Sequence, residues 1–479
     1  MNLDNRLTRP LANPSGPRHN TPMTPPARCP RIIHCPAIAL PADPASATAS
    51  SSPWCRFRIP WWPLLLLAFA WPGPCAVGAE EPTVVYETVP YTGTASSFAT
   101  SKFPRALRAG GFTYFSFVQS DGTVLLGQRH VASDSMQHVP LGEVTVDDHS
   151  APFVHVDADG IVFAWWYDRT GRQQIHQARS TAPHALEFQV TQIDSGRVDY
   201  PVAFEDGGLL YLIYRSDHDG GRWSYMTSDD RGDNWSVPAL FFDGTAWPYL
   251  HTWQGADFGP IEFARGGQTF HSTDFGIYHL RLHNGVFSRA DGTEIGPIDE
   301  VLPLNEEVMQ LAKAPAGDTR QRVMEVVGHT DGPCILIAAN ITPATGPEAN
   351  YTYERLRFDA GAGEWIVELV AESNHGGPGD LAQFPLYATL HSRDPDRAVA
   401  SIYRPDKEQI DLALLRRVDD GAEPAWRHVS WLTDSVDDDL FPQAVRHADD
   451  EWIWHRGSYQ GYTDFDTRLW GLRAWSIER

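Results

Sequence analysis

Lysine is scarce in this chain: only Lys102, Lys313 and Lys407 stand among its 38 cations, and arginine supplies the rest. Cations as a whole are outnumbered by 61 Asp and Glu, so the 479 residues carry a formal net charge of -23. That balance argues against a nucleic-acid binder, which needs a basic face to displace counterions. It also sets a first expectation against an anionic substrate. Long apolar runs are missing too, and the stretch around Leu64–Ala70 is too short to span a bilayer. Four of five cysteines (Cys29, Cys35, Cys55, Cys75) fall in the N-terminal segment, which leaves Cys334 alone further on. A disulfide framework and a cysteine-based zinc site are therefore not expected. Helical periodicity is hard to find. What remains, 42% hydrophobic and 21% charged residues, is the make-up of a folded globular protein.

The N-terminal segment reads as processing. Residues 1–55 form a Pro-, Ala- and Ser-rich leader expected to be disordered, or an over-long annotation of the start. Residues 56–79 follow the order of a secretory signal peptide, with Arg56-Phe57-Arg58, the apolar run and the small residues Val77-Gly78-Ala79. Cleavage after Ala79 leaves 31 cations and 59 anions, a net charge of -28. The expected location is secreted or periplasmic, with no membrane insertion once the signal is removed.

Residues 80–479 repeat one pattern: an apolar strand, a Gly/Asp turn, a second apolar strand, a loop and a third strand. The turns are read at Asp121-Gly122, Asp159-Gly160, Asp206-Gly207, Gly266-Gly267, Asp331-Gly332, Asp394-Pro395 and Asp449-Asp450. They lie 38, 47, 60, 65, 63 and 55 residues apart. Asp-Gly between apolar, β-branched runs is a strong hairpin signal, and the recurrence fits four-stranded blades with long loops. Ser228 to Trp235 matches the Asp-box pattern S-x-D-x-G-x-x-W, an architectural turn. The fold class expected is all-β, a seven-bladed β-propeller.

Radial repetition turns equivalent positions into a ring. The second strand of four units runs into an arginine: Arg169, Arg215, Arg404 and Arg456. These four should share one face and could bind an anion there, although a local Asp (Asp168, Asp406) is the plainer partner for one or two of them. Two polar residues, His149 and Tyr200, lie just upstream of a proline that opens the first strand of adjacent units. His, Tyr and Arg suit elimination on a uronate. Arg neutralises the carboxylate and stabilises the enolate-like charge, one side chain removes the C5 proton and another protonates the departing O4. Which of His149 and Tyr200 is base stays open.

At these residues the chain resembles the BNR-repeat propellers that include ulvan lyases and related rhamnose–glucuronate lyases. The matching segments are Asp147-Asp148-His149-Ser150-Ala151-Pro152, Tyr200-Pro201 through Tyr214-Arg215, Tyr225–Trp235 and Ile277-Tyr278-His279. They continue with Ser288-Arg289-Ala290-Asp291-Gly292-Thr293, Arg456-Gly457-Ser458-Tyr459 and Tyr462 to Thr467. The resemblance implies that His149 and Tyr200 are catalytic and that Arg215 binds the substrate carboxylate. Arg169 would assist it, and Arg404, Arg456 and His279 are further substrate-binding candidates. The family often has a second His about twenty residues after the first, where this chain has Arg169, which cannot act as a base. Some ulvan lyases hold a structural zinc, but no clustered His/Cys spacing supports one here, so no cofactor is expected and a structural metal is left open.

The function expected is a secreted polysaccharide lyase, a monomer acting on an anionic, ulvan-like polymer by β-elimination. The alternatives are a glycoside hydrolase on the same scaffold, such as a rhamnosidase, and a non-catalytic glycan-binding propeller. In the last case Trp165, Trp166, Trp247 and Trp253 would be stacking platforms.

Overall fold

The computed structural model describes residues 84–87, 93–94, 106–147, 150, 152–169, 174–216, 222–243, 249–266, 276–315, 319–341, 350–373, 375, 385–419, 424–461 and 464–473. The expected leader (1–55), the expected signal peptide (56–79), His149 and Trp247 lie outside them. The strands form seven sheets arranged as a β-propeller, and among the described residues the one helix is a single turn, Ile298–Val301. All seven sheets fall in one compact unit, Val77–Arg479.

The blades follow chain order, each with its first strand innermost. Blade 2 runs Phe153–Val156, Val162–Tyr167, Ile175–Ser180 and Phe188–Ile193. Blade 3 runs Val198–Asp206, Leu209–Ser216, Arg222–Ser228 and Ala239–Phe242. Blade 4 opens with Leu250–Gln254 and Ile261–Arg265, blade 5 with Arg320–Val327 and Cys334–Ile341, and blade 6 with Ala388–Leu390 and Arg397–Arg404. Blade 7 is composite. Its inner strands Asp439–Ala444, Glu451–Gly461 and Asp464–Arg473 are completed on the outside by Val84–Glu87, paired antiparallel with the last of them.

Near-continuous apolar runs form the second strands because both faces of a blade are covered by neighbours. In blade 2 all six residues of Val162–Tyr167 are buried. Polar contacts knit the blade interfaces. Ser116 Oγ donates to Pro152 O (2.9 Å) between blades 1 and 2, and Gln177 Nε2 to Gly232 O (2.9 Å) between blades 2 and 3. Glu205 N donates to Gln254 Oε1 (3.1 Å) between blades 3 and 4, and Leu390 N to Glu325 Oε2 (2.9 Å) between blades 5 and 6. Ser401 Oγ donates to Asp439 O (2.9 Å) between blades 6 and 7. Blade 7 meets blade 1 through buried Glu451, which pairs with Arg108 and Arg129.

Two of the turns read from the sequence sit elsewhere in their blade. In blade 1, Ala106–Ala109 and Phe112–Gln119 are the first two strands, so Asp121-Gly122 joins the second and third strands; Gly110-Gly111 makes the first hairpin. In blade 4, Gly266-Gly267 follows the second strand, and the first hairpin turns between Gln254 and Ile261. Glycine pairs serve either turn equally well, so local chemistry does not number the strands.

Candidate functional site

Antiparallel pairing puts the start of each first strand beside the end of its second, on one rim of the propeller. The register shows this directly: Asp199 opposes Arg215, Leu250 opposes Arg265, and Asp439 opposes Arg456. The first strands of blades 3 and 7 both carry a bulge here, between Asp199 and Val202 and between Leu440 and Gln443. At each bulge the residue before proline is left-handed, Tyr200 at φ 56° and Phe441 at φ 57°. A side chain in that region, disfavoured further by the following proline, costs on the order of 1–3 kcal/mol. Blade 7 makes the same kink with a Phe. Blade 3 places a phenol on it.

Around that phenol the side chains are closely set. The Arg215 guanidinium lies 4.4 Å over the Tyr200 ring and 5.9 Å from the Tyr249 ring. Its Nη2 donates to Asp199 Oδ2 at 2.6 Å. Tyr167 meets Tyr200 edge-on with centroids 6.4 Å apart, and Tyr249 lies 6.3 Å from it. Tyr200, Arg215 and Tyr167 are all buried, and the Tyr167 hydroxyl has no hydrogen-bond partner among the described residues. Burial raises the Tyr200 phenol well above its ordinary value, although the Arg215 charge pulls the other way. At neutral pH it stays protonated. Burial works against the Arg215 cation, but the Asp199 carboxylate bonded to it helps to hold its pKa above the ordinary value, so Arg215 keeps its charge. Arg169 belongs to the same group. Its backbone N–H donates to Ser150 Oγ at 3.3 Å and its side chain pairs with Asp147 at 3.5 Å.

Tyr200 lies against Arg215, and Arg169 is close enough for its charge to act on the Tyr200 phenol. The structure neutralises the arginine ring more fully than the sequence reading did. Each of the four has an aspartate: Asp147 for Arg169, Asp199 for Arg215, Asp406 and Asp411 for Arg404, and Asp439 for Arg456. Arg404 and Arg456 also lie over Trp431 (4.7 Å) and Trp470 (4.4 Å). Arg169 has the longest of these pairs and the most open side chain, 38% exposed against 6% for Arg215 and 16% for the other two. It is the rim cation best placed to exchange its aspartate for an incoming anion.

His279 lies elsewhere. It is fully buried, its Nε2 is 2.8 Å from Glu262 Oε2, and its ring meets Trp365 of blade 5 at 5.2 Å. There it supports a blade interface. Trp165 and Trp166 are buried core residues and cannot be stacking platforms; Trp253 packs partly buried against the core. Arg265 went unnoticed in the sequence because the hairpin was placed one turn late. It ends the second strand of blade 4 at the position of Arg215, 1% exposed, donating to Glu306 Oε1 at 2.7 Å and lying 4.3 Å over Phe242. Tyr167 and Tyr249 also escape the sequence pattern; for Tyr167 the available signal is its place just before the rim arginine in Tyr167-Asp168-Arg169.

No group of three or more His, Cys, Asp or Glu among the described residues could hold a metal ion. Nor is any helix there long and apolar enough to cross a membrane.

No curated protein matches the sequence. Among solved structures, the fold is similar to that of an ulvan lyase from a new polysaccharide lyase family, bound to -[GlcA(1-4)Rha3S]-. That chain is 16% identical, with 81% of this chain and 95% of that one covered and a TM-score of 0.61. A propeller domain of the Trilobed protease from Pyrococcus furiosus is 7% identical over 77% of this chain and 93% of its own, TM-score 0.40. The six-bladed Aleuria aurantia lectin is 12% identical over 68% and 93%, TM-score 0.37. Residues 112–366, just over half of the chain, match the model of the BNR repeat-containing family, and the protein belongs to that family.

Proposed function

We propose that this protein is a polysaccharide lyase that cleaves a uronate-containing polymer by β-elimination, outside the cytoplasm as its leader implies. The observation that carries this reading is the Arg215–Tyr200 pair, a guanidinium 4.4 Å over a buried phenol and anchored by Asp199 at 2.6 Å. A uronate carboxylate bound to Arg215 makes its C5 proton more acidic, because the developing enolate-like charge faces a fixed, buried cation. A base takes that proton, the electron pair forms the C4–C5 double bond, the C4–O4 bond breaks, and O4 leaves with a proton. Tyr200, held protonated by burial, is the proton donor to O4. His149, one blade away in the sequence reading, is the base. Arg169 supplies a second contact to the carboxylate in the place where relatives often carry a His, which leaves a single imidazole for proton abstraction.

Incubation with ulvan and other uronate polymers should release products with new ultraviolet absorbance and no added water in their mass. Tyr200→Phe should lower the rate by roughly 10²–10⁴-fold, the range for loss of a general acid, with polymer binding retained. Arg215→Lys should cost about 10²–10³-fold, as for loss of one electrostatic stabiliser. Products one water heavier and without absorbance would establish hydrolysis and overturn the reading.

A further inference from the structure

The outer flank of the propeller carries a cleft whose lining includes none of the rim arginines. It has a volume of about 410 Å³ and lies between blades 2 and 3, within the size range of small-ligand sites. One wall is the outermost strand of blade 2, which presents Gln189, Thr191 and Gln192 outward. The other is the turn after the third strand of blade 3, with Asp233, Asn234 and half-buried Trp235. This wall is rigid. Ser228 Oγ donates to Asp230 Oδ1 (2.8 Å) and accepts from Gly232 N (2.7 Å), while Asn234 N and Nδ2 donate to the Asp230 carboxylate at 2.8 and 2.7 Å. Gln177, 3% exposed, locks the indole from below. Its Oε1 accepts from Trp235 Nε1 (3.2 Å) and Trp165 Nε1 (3.1 Å), and its Nε2 donates to Gly232 O. Gly232 sits at φ 82°, and a Cβ there would meet the Gln177 carboxamide at 2.9 Å, so the turn and its support are fitted to each other.

We propose that this cleft is a second carbohydrate site, for a neutral hexose or deoxyhexose unit of a glycan chain. Its one cation is already engaged: Arg179 pairs with Asp233, and the one further charged side chain on the lining, Asp194, is acidic. A uronate or sulfate gains nothing there. What the walls offer instead is planar amides and a hydroxyl for vicinal hydroxyl groups, with the edge of a fixed indole and an 83% exposed Val237 for the apolar face of a sugar ring. Holding the indole beforehand cuts the ordering cost of binding. The rim and the flank thus differ in ligand charge, and a polymer of alternating charged and neutral units could engage both at once, gaining avidity from the second contact. The choice of a glycan as ligand rests on the function proposed above.

The test is a titration of the mature protein, labelled with ¹⁵N at tryptophan, with L-rhamnose, D-galactose and D-glucose, and with D-glucuronate as the anionic comparison. The Trp235 indole signal, assigned by its loss in Trp235→Phe, should shift saturably with at least one neutral sugar and not with glucuronate. An Arg179→Gln/Gln192→Ala double variant, altered on the cleft walls only, should weaken that binding at least tenfold and leave turnover of short uronate oligosaccharides unchanged. Absence of a shift with every neutral sugar, or an unchanged titration in the double variant, overturns the site. Failure of the wild type to eliminate any uronate polymer, with the Trp235 titration intact, removes the lyase reading and leaves this site standing.

Discussion

Replacing Glu451 by Gln should open the junction where the propeller closes on itself. Glu451 stands on the second strand of blade 7 with its side chain fully buried. One oxygen accepts from Arg129 Nη1 at 3.1 Å; the other accepts from Thr113 Oγ1 at 3.0 Å and pairs with Arg108. All three partners belong to blade 1. Gln keeps the shape but turns an amide donor toward donors and takes the buried carboxylate from Arg108 and from Arg129, which is 2% exposed and keeps only the exposed Asp134. Breaking a buried pair from one side costs roughly 3–5 kcal/mol. For a unit of roughly 400 residues, an unfolding entropy of about 2.1 cal/mol/K per residue converts that loss to a fall in Tm of about 4–6 °C. The control is Arg393→Gln, which removes the Arg393–Asp449 pair at 53% and 73% exposure. Such a surface pair contributes about 0–1 kcal/mol, so Tm should move by about 1 °C or less. Thermal unfolding followed by circular dichroism reads both. A Glu451→Gln shift no larger than that of the control would refute the claim that this carboxylate holds the closure.

Two other buried groups make separable predictions. Burial raises the Glu325 carboxyl from 4.5 to about 7, despite hydrogen bonds from Thr389 and Leu390 and the Arg446 charge. The folded state therefore binds this proton more tightly than the unfolded state, and stability present below about pH 4.5 is lost as pH rises through about 7. Glu325→Gln removes that loss: the difference in Tm between variant and wild type should grow in favour of the variant from pH 4.5 to 7 and then level off, and a flat difference would refute it. Cys334 is 1% exposed and burial pushes its thiol up to about 12. It should not react with thiol reagents at neutral pH in the folded protein and should react fully in denaturant; rapid labelling of the native protein would contradict this.

Much of the architecture was legible in the residue order. β-branched runs separated by Asp-Gly and Gly-Gly turns specify strands and hairpins locally, and their recurrence sets the blade count, because each blade buries its faces only against copies of itself. The same logic put Tyr200, Arg215 and Arg169 on one rim, since strand ends in a repeat share a direction. Partner choice lay beyond it. Whether a rim arginine meets an aspartate depends on the strand beside it, as Arg456 meets Asp439 across a bulge. His279, a substrate-binding candidate by resemblance, is closed in by Glu262 and Trp365. Arg265 became visible only when pairing of Leu250 with Arg265 numbered the strands of blade 4. The scarcity of cations, read as a bar to anionic substrates, described the whole surface. The tertiary structure decides instead how few of those cations stay near open ground, because electrostatic energy in a buried pocket is set by neighbours a few ångströms away and net charge by the entire chain.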